Sequence, residues 1–196
     1  MSWKAIDRNE PQVAADAPPV LSEAVRDKIR GFLDRYETSK AALVPALHVA
    51  QDAVGHLSWA AMKEVAEVLG IHPSEVMDTA SFYTHFWTKP RGKKVITVCR
   101  SLSCEIMGGA ELLAALKDHL GIDEHETTAD GEYSIVTEEC LAGCDHAPCM
   151  LINEKLHKCV RVEDIPRLLK DADNDVIDIP RSDLFDAPDE SGQARP

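Results

Sequence analysis

The sequence predicts an α+β protein in which a helical first half precedes a smaller unit of mixed strands and helices. Three observations support this division. Apolar residues recur at helical spacing between Leu21 and Leu69. The pattern changes at the Lys-Pro-Arg-Gly segment 89–92, and the β-branched run that follows at 94–98 is typical of a strand. All six cysteines lie after that change, so any site that uses thiols is expected in the second unit.

The first half is expected to form a small bundle of four helices. Serine N-caps and a proline mark helix starts, and glycines mark helix ends. The helices are predicted over 22–36, 39–54, 58–69 and 73–80.

The second half has the order strand, helix, strand, strand, strand, helix. Gly108 and Gly109 open its first helix and Gly121 ends it. The three later strands are predicted near 133–138, 150–153 and 156–160, and the last helix near 162–169. Together with the bundle, this arrangement gives the α+β class.

Composition narrows the function before any motif is considered. The chain has 196 residues and a formal net charge of −13, which disfavours nucleic acid as a partner because phosphate binding needs a basic surface. No apolar run approaches the roughly 20 residues of a membrane span, and the polar N-terminus does not resemble a signal peptide. We therefore expect a cytoplasmic protein in which structural disulfides are rare. The expected domains are a flexible arm at 1–20, the bundle at 21–88, the cysteine-bearing unit at 89–172 and an acidic tail at 173–196.

Four of the cysteines form two pairs, each placed after a predicted strand. Cys99 and Cys104 are separated by four residues, and Cys140 and Cys144 by three. Two such loops on neighbouring strands can bring four thiolates together, which suits either zinc or an iron–sulfur cluster. The intervals are wider than the usual zinc knuckle, so they favour a two-iron cluster, while a structural zinc module stays open as the alternative.

Other thiol chemistries fit less well. A thioredoxin-type dithiol enzyme needs a C-x-x-C motif, which this sequence lacks, and the closeness of Cys144 and His146 in sequence does not define a protease pair. Cys149 and Cys159 are expected to be buried thiols that act as small hydrophobic residues. Cys149 is also the candidate that could replace Cys144 as a ligand, since the two lie five residues apart.

Residues near the cysteines suggest how an anionic cluster would be stabilised. Gly108, Gly109 and Gly143 are expected to let backbone N–H groups approach the sulfurs. Arg100 is expected to be a solvated surface arginine. His48, in the second predicted helix of the bundle, is expected to be a core or interface histidine whose ring nitrogens have hydrogen-bond partners.

Beyond the cysteines, several blocks resemble a family of bacterial NADH-quinone oxidoreductase subunits, the small [2Fe–2S] subunit of the flavoprotein module of respiratory complex I. The resemblance covers roughly residues 21–170. It is carried by the segments 42–51, 80–86, 126–131 and 139–148 and by the pair Cys99 and Cys104.

The resemblance implies an N-terminal helical bundle followed by a thioredoxin-like α/β domain that binds one [2Fe–2S] cluster. It implies that the ligands are Cys99, Cys104, Cys140 and Cys144. It also implies docking on the NADH-binding subunit, which carries FMN, with the neighbouring iron–sulfur subunit of the same complex as a further partner.

On this reading the chain is an electron carrier without a catalytic site of its own and acts as an enzyme only within the complex. It is expected to lie on the cytoplasmic side, peripheral to the inner membrane, without inserting into it. The alternatives are the similar small subunit of an NAD(P)-linked hydrogenase or formate dehydrogenase, and the zinc scaffold mentioned above.

Overall fold

The computed structural model describes residues 18–172 together with Ser182 and Phe185, and these residues divide into two compact units. One unit contains the described residues up to Lys89 with Ser182 and Phe185, and the other begins at Pro90. Most of the predicted arm and tail lie outside the described residues. Within the part of the chain that is described, no helix is long and apolar enough to cross a bilayer.

The first unit is a bundle of four α-helices. They are α1 (Glu23–Arg30), α2 (Leu43–Val54), α3 (Trp59–Leu69) and α4 (Pro73–Phe82). The predicted helix through residue 36 is wrong in its length: α1 ends at Arg30, with Gly31 as its C-cap and a 3₁₀ turn over Leu33–Arg35. The helix expected from residue 39 begins four residues later, after a turn closed by the Thr38 hydroxyl, which accepts a hydrogen bond from the Ala41 N–H.

The bundle has its own apolar core and one buried carboxylate. Leucine, valine, alanine and phenylalanine side chains from all four helices make up the core. The Glu64 carboxylate accepts hydrogen bonds from the backbone N–H groups of Val20 (2.6 Å) and Leu21 (2.9 Å), and it lies 2.9 Å from the Arg26 guanidinium. The buried charge is tolerated here because both of its oxygens have hydrogen-bonding or charged partners.

The second unit contains a four-stranded sheet with helices packed against it. The elements are β1 (Lys94–Cys99), α5 (Leu102–Ile106), α6 (Gly109–Leu120), β2 (Tyr133–Glu138), β3 (Met150–Ile152), β4 (Lys155–His157) and α7 (Ile165–Asp171). The strand order is β2-β1-β3-β4, with β1 and β2 parallel and the other pairs antiparallel. This mixed sheet agrees with the predicted α+β class.

The register of the two parallel strands brings the cysteine segments together. Cys99 ends β1 directly opposite Glu138, which ends β2. Because parallel strands finish at the same edge of a sheet, the segments that start at Arg100 and Glu139 leave the sheet side by side. The hydrogen bond from the Arg100 N–H to the Glu138 carbonyl (3.0 Å) continues the pairing one residue further.

Candidate metal centre

The first cysteine pair is built on regular secondary structure and is buried. Cys99 is the last residue of β1 and is 2% exposed, while Cys104 lies inside α5 and is fully buried. The sequence predicted a loop for Cys104, and that prediction is wrong: the short helix α5 carries this cysteine back over the end of β1.

Cys149 joins this pair. The Sγ atoms of Cys99, Cys104 and Cys149 all lie within 4.8 Å of one another, and the Cys104 and Cys149 sulfurs are 3.6 Å apart. Cys149 precedes β3, and its carbonyl accepts a hydrogen bond from the Cys99 N–H. It is therefore a buried thiol, as predicted, but one in direct contact with the first pair.

The second pair lies on irregular backbone and is exposed. Cys140 follows β2, and Cys144 begins a 3₁₀ turn over Cys144–His146. Their sulfurs are 3.9 Å apart. The Ser103 side chain, next to Cys104, lowers the pKa of Cys144 and the Cys104 thiol raises it, so the two pairs are adjacent.

Backbone N–H groups act on the sulfurs from several directions. The Ala142 N–H donates a hydrogen bond to the Cys140 sulfur over 3.4 Å, the N–H groups of Ser101 and Leu141 lower the pKa of Cys99, and that of Cys149 lowers the pKa of Cys104. These donors are not the glycines that the sequence suggested. Because such bonds favour the charged form of sulfur, the site suits thiolates.

Glycines contribute instead by allowing close packing. A Cβ atom on Gly109 would lie 2.8 Å from the Cys104 carbonyl oxygen, and one on Gly143 would lie 3.2 Å from the Cys149 sulfur. The first turn of α6 and the second cysteine segment can therefore approach the thiols only because these residues lack a side chain.

The thiols differ in how readily they ionise. Burial opposes ionisation of Cys99, but the N–H groups of Ser101 and Leu141 together with the Cys104 and Cys149 thiols outweigh it and lower its pKa. Burial raises the pKa of Cys104, and it raises the pKa of Cys149 to about 12, with the neighbouring Cys104 adding to the effect. The neighbouring Cys140 thiol raises the pKa of Cys144. A metal ion that binds here must therefore displace protons from its ligands.

The spacing of the sulfurs fits tetrahedral thiolate coordination. A metal–sulfur bond of about 2.3 Å places two thiolates on one tetrahedral ion about 3.8 Å apart. The Cys140 and Cys144 sulfurs, at 3.9 Å, match this value, and the Cys99 and Cys104 sulfurs lie within 4.8 Å of each other. Two adjacent groups of sulfurs with this spacing and with N–H donors fit a two-iron cluster better than a single structural ion.

One prediction about the remaining cysteine is wrong. Cys159 is exposed and not buried, because β4 ends at His157 and Cys159 adopts a left-handed backbone with φ of 51°. Its N–H donates a hydrogen bond to the His146 carbonyl (2.8 Å).

The sequence did not predict the contact between Cys149 and Cys104. This contact depends on the antiparallel pairing of β1 with β3, which places Met150 opposite Val98.

The charged and aromatic candidates take structural positions. Arg100 forms an exposed ion pair with Glu139, in agreement with the surface role predicted for it. His48 is buried in the bundle, where its ring lies 4.7 Å from the ring of Phe86 and 5.6 Å from that of Phe185, as a core histidine would.

Comparisons with known proteins point to one family. Residues 29–173 match the family model of the thioredoxin-like [2Fe-2S] ferredoxins. The chain is 37% identical to the E-type subunit of the NADH-quinone oxidoreductase of Escherichia coli K12 over 76% of this chain and 90% of that protein. It is 36% identical to the corresponding E-type subunit of Pseudomonas aeruginosa, covering 77% of this chain and 91% of the relative.

A solved structure is similar as well. The crystal structure of an NAD+-reducing [NiFe]-hydrogenase in the H2-reduced state superposes with a TM-score of 0.56 and 25% identity. The superposition covers 66% of this chain and only 22% of the hydrogenase chain.

Proposed function

The chain belongs to the thioredoxin-like [2Fe-2S] ferredoxin family, and we propose that it is the small electron-transfer subunit of an NADH-quinone oxidoreductase. Cys99, Cys104, Cys140 and Cys144 hold one [2Fe–2S] cluster as thiolates. The observation that carries the proposal is the adjacency of two thiol groups with coordination spacing at the common end of two parallel strands.

The chain's own residues hold and tune the cluster. When bound, the cluster supplies a carrier of one electron, whose potential depends on hydrogen bonds to the sulfurs and on exposure. The Ser101, Leu141 and Ala142 N–H groups stabilise negative charge on the ligand sulfurs. The buried Cys99 and Cys104 anchor one side, and the exposed Cys140 and Cys144 leave the other side open to a redox partner.

A partner surface lies next to the ligands. Leu102, Ile106 and Met107 are 74%, 73% and 61% exposed and sit on or just after α5, which also carries the buried Cys104. Large apolar side chains exposed together mark a protein contact. We assign this patch to the FMN-bearing, NADH-binding subunit, because docking there brings flavin close to the cluster. Phe82 and Tyr83 at the end of α4 are a further exposed aromatic pair, which fits a docking role for the bundle.

Metal analysis tests the ligand set directly. The purified full-length chain is expected to contain two irons and two sulfides and to give a [2Fe–2S] EPR signal after reduction with dithionite. Cys99→Ser and Cys140→Ser should lose or perturb this signal, whereas Cys159→Ser, at an exposed thiol outside the set, should leave it unchanged. A colourless chain with one zinc would overturn the proposal in favour of the zinc scaffold.

The docking proposal has its own test. Co-expression with the flavin-bearing subunit should give a complex that Ile106→Glu weakens at least tenfold, with the cluster signal intact. Glu163→Gln, an exposed substitution near α7, serves as the control. Equal affinity for both variants would place the contact elsewhere.

Purification of the native assembly distinguishes the two kinds of complex. We expect the chain to be recovered with quinone-reducing subunits from the membrane fraction, attached peripherally on the cytoplasmic side. The similarity to the NAD+-reducing hydrogenase makes that assembly the second candidate, and recovery with a nickel-containing subunit would favour it.

A further inference from the structure

Cys149 is a fifth thiol at a centre that needs only four. The residue is 1% exposed, and its sulfur lies 3.6 Å from the Cys104 sulfur. We propose that Cys149 is a donor and not a ligand: its S–H group donates a hydrogen bond to the iron-bound sulfur of Cys104 and raises the reduction potential of the cluster. This inference rests on the function proposed above.

The direction of this hydrogen bond follows from the ligand count. A [2Fe–2S] cluster takes four thiolates, and the two pairs supply them. An iron-bound thiolate accepts hydrogen bonds and cannot donate. Between Cys104 and Cys149, the shared proton therefore belongs to Cys149.

The surrounding structure fixes Cys149 in the donating position. Its backbone is tied to β1 through its carbonyl, which accepts from the Cys99 N–H (3.3 Å). Its own N–H group lowers the pKa of Cys104, which is the effect expected of a donor close to that sulfur. Gly143 packs so closely against the Cys149 sulfur that a Cβ atom on residue 143 would lie 3.2 Å from it.

The pocket also keeps water from taking over this role. Leu141, Ala147 and Leu156 pack around Cys99, Cys104 and Cys149. In an apolar pocket a hydrogen bond to a charged acceptor is stronger than in water. The bond strengthens as negative charge on the ligands rises, so it favours the reduced cluster and raises the potential.

The test uses the cluster-loaded full-length chain and two substitutions of similar size. Cys149→Val fills the pocket but removes the donor, whereas Cys149→Ser keeps a hydroxyl donor. We expect a midpoint potential more negative than wild type for the valine variant and a smaller shift for the serine variant. Cys159→Ser is the matched thiol control and should leave the potential unchanged. Iron and sulfide contents should stay at two each in all variants.

A second measurement needs no variant. Infrared difference spectra of the wild-type chain should show the S–H stretching band of a buried thiol moving to lower frequency when the cluster is reduced. This band should be absent from Cys149→Val and present in Cys159→Ser.

Three results would overturn the inference. One is an unchanged or more positive midpoint potential in Cys149→Val. Another is a wild-type S–H band whose frequency does not change when the cluster is reduced. The third is loss of the cluster in Cys149→Val with retention in Cys144→Ser, which would make Cys149 a ligand. That last result leaves the electron-transfer function standing, whereas a wild-type chain without iron and sulfide removes both.

Discussion

The helical bundle and the cysteine-bearing unit satisfy their polar groups in different ways. In the bundle, the Glu64 carboxylate accepts hydrogen bonds from the Val20 and Leu21 N–H groups and pairs with Arg26. In the second unit, thiols with raised pKa values gather at one end of the sheet, and the second pair lies exposed on irregular backbone. The bundle compensates its buried charge with protein groups, whereas the second unit gathers thiols that a metal group would compensate.

Removal of the cluster should give the largest difference in stability between the two units. After chelation under reducing conditions, we expect amide exchange in the segment 139–148 to accelerate about tenfold or more, because loss of only 1.4 kcal/mol of local stability has that effect. Exchange in α2 should not change, since apolar packing holds it. Hydrogen exchange with mass spectrometry measures both. Equal acceleration in α2 would show that the cluster also stabilises the bundle.

Substitution of the buried carboxylate should destabilise the bundle and leave the cluster in place. Glu64→Gln removes a charged acceptor from two backbone N–H groups and Arg26, so we expect the bundle to lose about 1.5–3 kcal/mol. Thermal and urea unfolding measure the loss, and the cluster's absorption should persist. Glu75→Gln, at an exposed ion pair with Lys40, should cost clearly less.

The same carboxylate predicts a pH dependence. Partial burial opposes ionisation of Glu64, but the N–H groups of Val20, Leu21 and Arg26 outweigh it and lower its pKa from 4.5. A carboxyl group with a lowered folded-state pKa stabilises the fold above its unfolded pKa, and that contribution is lost as pH falls through the folded value. Wild type should therefore lose bundle stability below about pH 4.5 more steeply than Glu64→Gln. Parallel acid titrations would disprove this role.

A smaller effect is expected where α6 meets the first cysteine pair. In Gly109→Ala the new methyl group would lie 2.8 Å from the Cys104 carbonyl oxygen, so the backbone must shift, at a cost of about 1–3 kcal/mol. The EPR signal should broaden as the Cys104 ligand moves. Gly31→Ala is the matched control in the bundle, because its nearest neighbour would be 3.4 Å away and its backbone is helical. If both variants behave alike, close approach is not the reason for glycine at 109.

Element type was predictable wherever local signals agreed. Ser58 and Gly70 bound α3 as expected, and the β-branched run 94–98 lies in β1. Errors arose where periodicity continued past a stop signal: apolar spacing ran on to residue 36, but Gly31 ended α1. Cys159 was misplaced because a strand-like sequence does not reveal where pairing ceases.

The chemistry of the site was readable from the sequence, since four cysteines at two intervals after two strands point to thiolate coordination. The differences between those thiols depend on the three-dimensional fold. The parallel register of β1 and β2 places both segments at one edge, and the antiparallel pairing of β3 inserts Cys149 against Cys104. The groups that set the ionisation of the buried sulfurs include partners distant in sequence, such as Leu141 for Cys99 and Cys149 for Cys104, which no local pattern encodes.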